Sequence, residues 1–242
     1  MGQSYFIWNG VDCRSKGIIL RGPAPIVRAE ERVKHVEIPG QSGDLTETEG
    51  ENIFNSYIQT VTISVKGGFR VREVYKWLRG AGYVTFSGEP QKRQQARIIG
   101  AVTLNKVSRN MDHWAGEVQF YCQPLKEALR EETETISSSG ATIRNRGDVI
   151  SRPLYKVTAS ATSFTIAVAG DVPAGNSITV TGITSGNVYW LDAETMEVMN
   201  AAKTKTFTEK SAGGFPVMGV GDNTLTFSGC SSIEINKRER FL

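Results

Sequence analysis

Residues able to do chemistry are few in this chain, and they are scattered. His35 and His113 are the only histidines, and so the only side chains whose ordinary pKa lies near neutrality. Neither sits in an HExxH pair or has a second ligand at helical spacing. A lone histidine in a strand or turn reads as structural. No GxSxG elbow presents a serine nucleophile. Gly219-Val220-Gly221 lacks the rest of a dinucleotide fingerprint and opens no helix, so it reads as a turn. Cys13, Cys122 and Cys230 are widely spaced with no CxxC, which fits free thiols better than a disulfide or a zinc site. Cys122 alternates with Val118 and Phe120 and reads as a small core residue. No catalytic set, metal cage or cofactor cradle can be assembled, so the expectation is a protein that is not an enzyme.

What remains is charge. Asp44, Glu47, Glu49 and Glu51 crowd a stretch that also holds Pro39, Gly40, Gly43 and Gly50. Their spacing does not match a calcium-binding EF-hand loop. Two readings stand: a solvated acidic loop, or an intersubunit salt-bridge surface. In the second, the acids meet basic residues of a neighbour such as Lys92, Arg93 and Arg97. That basic run has no interleaved aromatics on which bases could stack. A net charge of +3 and a pI near 8.7 are also mild, so no nucleic-acid sequence readout is expected. A solvated or intersubunit edge is the expected role, and lysine on an edge strand discourages unwanted pairing. Tyr189-Trp190 is a candidate sugar-stacking platform. Adjacent strand residues face opposite sides, so at least one of the two should be core. The run Lys237-Arg238-Glu239-Arg240 reads as a charged chain end.

The elements that would position these residues are mostly strands. Phe6-Ile7-Trp8, Asn9-Gly10 and Val11 form a hairpin signal, because Asn and Gly both tolerate positive φ. Ile18-Ile19-Leu20 and residues 33–38 are further short strands. The strand over 33–38 runs into the polar loop, and strand signals resume at Ile58. Over 58–66, Val61, Ile63 and Val65 alternate with Thr60, Thr62 and Ser64. Gly67-Gly68 ends that pattern. Val71, Val74, Tyr75 and Leu78 then recur at helical spacing, with Arg70, Arg72, Lys76 and Arg79 mostly off the stripe and Gly80 suited to the C-terminal cap. Strands follow near 83–86, 94–104 and 114–122. A polar, helix-like run over 125–132 closes the first half.

The Ser/Thr/Gly-rich stretch after residue 132 suggests a boundary. The reading is an N-terminal domain over 1–132, a linker or entry segment over 133–150 and a second domain over 151–242. In the second half, many short strands separated by turns at roughly 8–12-residue intervals argue for an antiparallel sandwich. The composition, 39% hydrophobic and 22% charged, is that of a globular protein. The first residues lack a signal-peptide pattern, and no apolar run is long enough to cross a bilayer. Folding and assembly in the cytoplasm, without membrane insertion, are expected.

The order of these segments resembles the distal tail proteins of long, non-contractile-tailed bacteriophages. Several segments carry the resemblance. They are the strand–Asn-Gly–strand opening, the Ile18-Ile19-Leu20 strand, and the Pro-Gly…Gly-Asp-Leu-Thr-Glu-Thr-Glu-Gly loop over 36–50. The strand over 58–66, Trp77-Leu78-Arg79-Gly80, Val84 to Pro90, and Glu117 to Cys122 with Gln123-Pro124-Leu125-Lys126 follow. In the second half the carriers are Arg152-Pro153-Leu154-Tyr155, Ile178 to Gly182, Trp190-Leu191-Asp192, Met196-Glu197-Val198 and Asn223 to Gly229. The resemblance implies a mainly β fold. An N-terminal β-sandwich or split barrel with one packed α-helix would precede a C-terminal galectin-like antiparallel β-sandwich. It implies a structural virion protein at the distal end of the tail, closed into a homohexameric ring. Its implied partners are the major tail tube protein on one face and the tail-tip or baseplate hub protein on the other. Tape-measure and receptor-binding proteins are further candidates. The alternative is a carbohydrate-binding module for host adsorption, with Tyr189 or Trp190 as the stacking residue.

Overall fold

The computed structural model describes residues 4–48, 50, 53–204 and 206–242. The chain is mainly β and divides into two compact units, Met1–Leu129 with Leu242, and Arg130–Phe241.

The first unit holds β1 (Phe6–Trp8), β2 (Val11–Asp12), β3 (Ile18–Leu20), β4 (Val33–Glu37) and β5 (Asp44–Thr48). After these come β6 (Tyr57–Lys66), α1 (Gly68–Trp77), β7 (Ala81–Phe86), β8 (Lys92–Ser108) and β9 (Met111–Ala128). Its main sheet runs β2-β1-β7-β8-β9-β6-β3, and the pairs along that path are antiparallel. Asn9 and Gly10 join β1 to β2 with φ of 50° and 78°, the positive pair a tight hairpin turn requires. Val61, Ile63 and Val65 face the core as their alternation predicts. Phe120 is the centre of that core. Its ring packs tilted or edge-on against Phe6, Trp8 and Phe86 at centroid distances of 5.4, 5.6 and 5.7 Å. α1 buries Val71 and Val74, followed by Leu78. Tyr75 stays half exposed and accepts a hydrogen bond from the Leu104 backbone N–H at 3.1 Å.

The run expected to be helix-like over 125–132 is not helical. β9 continues through Ala128, with Lys92, Arg93 and Gln94 opposite Ala128, Glu127 and Lys126. The local preference for helix yields to pairing that buries Lys126 against Glu89.

The second unit is an antiparallel sandwich of two five-stranded sheets. Its strands are β10 (Thr133–Ile136), β11 (Ala141–Asn145), β12 (Leu154–Ala159), β13 (Ser163–Ala169) and β14 (Ser177–Thr181). They continue with β15 (Val188–Asp192), β16 (Glu197–Asn200), β17 (Ser211–Gly213), β18 (Gly221–Ser228) and β19 (Cys230–Asn236). One sheet is ordered β10-β19-β12-β15-β16, the other β11-β18-β13-β14-β17. Strict alternation of buried and half-exposed residues in β12 and β13 places Tyr155, Val157, Phe164, Ile166 and Val168 in one core. Residues 133–150, expected as a linker from their Ser/Thr/Gly content, supply β10 and β11 to these sheets. The basic stretch 237–240 is not a loose charged end. Lys237 pairs with Glu134 at 2.8 Å, and Arg238 grips Asp192 through both guanidinium nitrogens at 2.6 and 3.0 Å.

Candidate functional site

The acidic stretch is not a loop throughout. Leu45, Thr46 and Thr48 extend into β5, which folds back on β4 as an isolated two-stranded ribbon. Gly40 and Gly43, at φ of 82° and 89°, turn the chain between them. The ribbon's base is tied by backbone bonds, Arg32 N–H to the Ile53 carbonyl and Asn55 N–H to the Glu30 carbonyl, both 2.8 Å. Beyond that base nothing in β4 or β5 is buried. A lone two-stranded hairpin is at best marginally stable in water.

The register sorts the acids onto opposite faces. Glu37 lies opposite Asp44, with His35 and Thr46 on the same face. Glu47 lies opposite Lys34 on the other face, beside Val36 and Leu45. Asp44 and Glu47, expected to act together, therefore point to different sides. Glu49 lies outside the described residues. Directly opposed like charges are destabilising in an antiparallel pair, and no cation reaches Glu37 or Asp44 among the described residues.

The basic run has partners within the subunit. Lys92 bonds Glu89 at 2.8 Å, and Arg93 bonds Glu127 at 3.0 Å while its guanidinium lies 4.6 Å from the Tyr83 ring centroid. Glu89 also receives the buried Lys126 ammonium at 2.6 Å. Burial opposes ionisation of Glu89, but the two lysine hydrogen bonds outweigh it and hold its carboxyl below the ordinary value. Arg97 alone of the three is exposed, in a cross-strand row with Ala81, Tyr121 and Ile58.

The helix carries charge that sequence reading placed only off the apolar stripe. Arg72, Lys76 and Arg79 are all exposed; Arg72 and Lys76 lie at i and i+4 on one face of α1, and Arg79 follows beyond the helix end. None of the three has an ion-pair partner among the described residues. The helix start is held from a distance. Gly67 and Gly68 offer no capping side chain, and the Asp112 carboxylate of β9 accepts from Gly68 N–H at 2.8 Å and from the Trp114 indole N–H at 3.0 Å. Those donors hold the Asp112 carboxyl below its usual value. No local spacing in the sequence signals this cap, because donor and acceptor are 44 residues apart.

In the sandwich, Tyr189 is core. It is buried, packs edge-on to Phe207 at 5.5 Å, and its hydroxyl accepts from Thr184 N–H at 2.9 Å. It therefore offers no stacking surface, a correction forced by strand alternation. Trp190 is on the outer side, half buried. The Lys203 ammonium lies 3.8 Å from its ring centroid and its indole N–H bonds the Ala201 carbonyl at 3.3 Å. The lysine therefore lies over one face of the ring.

Elsewhere the chemistry is structural. Cys13 and Cys122 are buried and Cys230 half buried. Burial pushes the Cys122 thiol up to about 12 and the Cys230 thiol to about 11, far from a reactive thiolate. Among the described residues no three His, Cys, Asp or Glu side chains are placed to hold a metal, and no helix is long and apolar enough to cross a membrane.

These features define a two-unit antiparallel β protein whose distinctive surfaces are an exposed two-stranded ribbon and an exposed Arg72–Lys76 pair on α1. The chain has the fold of a bacteriophage distal tail protein. It is similar over 100% of both chains, with a TM-score of 0.79 and 16% sequence identity, to the SPP1 Dit (gp 19.1) protein, which is described as a paradigm of the hub adsorption apparatus in phages infecting Gram-positive bacteria. No family model matches the sequence, and no curated protein matches it.

Proposed function

We propose that this chain is a structural virion protein that forms a hexameric ring at the distal end of a long, non-contractile phage tail. The ring joins the tail tube to the tail-tip or baseplate hub and carries host-binding proteins. The observation that carries this reading is the full-length likeness in fold to a hub protein of a phage adsorption apparatus. Assembly takes place in the host cytoplasm, and the protein does no catalysis.

Two features of the first unit support a self-assembling role. Among the described residues no further strand pairs with the ribbon of β4 and β5, and none of its residues is buried. β8 also has a free side. It pairs with β7 only over Gln94–Arg97, and Ile98 N–H reaches the Gly80 carbonyl. From Ile99 to Ser108 no strand lies on the side away from β9 among the described residues. Head-to-tail contacts that close give rings, and closure removes exposed sheet edges. Negative-stain microscopy of the purified chain is expected to show sixfold rings. Isolated single particles of monomer size at micromolar concentration would count against the reading.

A further inference from the structure

We propose that the Glu37–Asp44 carboxylate pair of one subunit's ribbon docks on the Arg72–Lys76 pair of α1 in a second copy of this chain. The proposal rests on the ring reading above, and it names a contact within that ring.

The argument is electrostatic and local. Glu37 and Asp44 face each other across the ribbon at cross-strand pairing distance, where like charges repel. Arg72 and Lys76 form the mirror case, because like charges at i, i+4 on a helix face also repel. All four side chains are exposed, and none has an ion-pair partner among the described residues. Each arrangement costs its own subunit stability, and each is relieved by the other. By contrast, Glu89 is matched within the chain by Lys92 and Lys126, and Glu127 by Arg93. Of the cations first considered as partners for the ribbon, Lys92 and Arg93 are thus engaged, and Arg97 is exposed. Arg72 and Lys76 are an exposed pair of like charges on one helix face. A contact of one surface with a different surface on the next copy is heterologous, the type that closes rings.

The test is a charge swap in the full-length protein, read by sedimentation at low and high salt. Three proteins are compared with wild type: Glu37→Lys/Asp44→Lys, Arg72→Glu/Lys76→Glu, and the two pairs combined. Thermal melting confirms that each variant folds. Each single-side reversal should weaken assembly by about tenfold or more, with the wild-type interaction weakening as salt rises. The combined variant should recover most of the loss, because opposite charges again face each other. If neither reversal alters a ring that forms, or if the combined variant is no better than the sum of the two, the contact is not this one. If only the helix reversal weakens assembly, the Arg72–Lys76 pair serves another surface, and the proposal is wrong. A wild-type chain that stays monomeric removes the ring reading itself, and this contact with it.

Discussion

Two hairpins of the first unit, β8–β9 and β4–β5, are built on opposite terms. The β8–β9 hairpin buries one face: Ala96, Leu104, Val118, Phe120 and Cys122 all lie in the core. The ribbon of β4 and β5 buries nothing, leaves Leu45 and Ile38 half exposed, and sets two carboxylates against each other. Sheet pairing alone does not stabilise a hairpin. Burial of a face does. The β8–β9 hairpin is therefore an internal part of the fold, whereas the ribbon has no residue buried against its own unit.

The largest expected effect comes from the core side of this contrast. Phe120→Ala should cost about 3–5 kcal/mol by chemical denaturation, because it removes the ring on which Phe6, Trp8 and Phe86 converge. A loss under about 1 kcal/mol would mean that the β8–β9 hairpin is not held as described. Next is Glu89→Gln, which leaves the Lys126 ammonium buried without its counter-charge. About 2 kcal/mol is expected, below the cost of breaking a fully buried pair because Glu89 is partly exposed. The sign of the pH effect follows from the same group. Its folded pKa is depressed from an ordinary value of 4.5, so its stabilisation is present above that value and lost as pH falls through the lower folded value. Wild type should therefore lose more stability than Glu89→Gln between neutral pH and the acid limb of a denaturation series. Equal acid sensitivity would remove Glu89 from the account.

The ribbon should respond in the opposite sense. Val36→Thr/Leu45→Thr is expected to change monomer stability by under about 0.5 kcal/mol, since neither side chain is buried in the subunit. A cooperative loss of stability would show that the ribbon packs on its own chain after all. The smallest effect on the monomer is expected from Asp44→Lys/Glu47→Lys, within about 0.5 kcal/mol of wild type, with assembly weakened far more. A collapse of the monomer melting temperature while rings persist would reverse that assignment.

What sequence reading reached, and what it missed, divides along the same physical line. Asn9-Gly10, the alternation of Val61, Ile63 and Val65, and the Val71-Val74-Leu78 stripe are local patterns, and each forms the element its spacing predicts. Residues 125–128 read as helix because their propensities are local, whereas the pairing that makes them a strand comes from Lys92 to Gln94. β5 was legible in principle. Gly40 and Gly43 bracket a turn, and Leu45, Thr46 and Thr48 are acceptable strand residues, but the surrounding acids mask the pattern. The Asp112 cap and the Arg238–Asp192 clamp join residues 44 and 46 apart, beyond any motif window. At the candidate site, sequence reading found the acidic ribbon but not its two faces, which depend on register. It found the cations Lys92 and Arg93 but not their intrachain partners.

The most direct measurement for the central claim is the mass of the full-length chain by sedimentation equilibrium across the micromolar range. The account predicts a species of six chains. A single chain at every concentration, with the ribbon left uncovered, would contradict it.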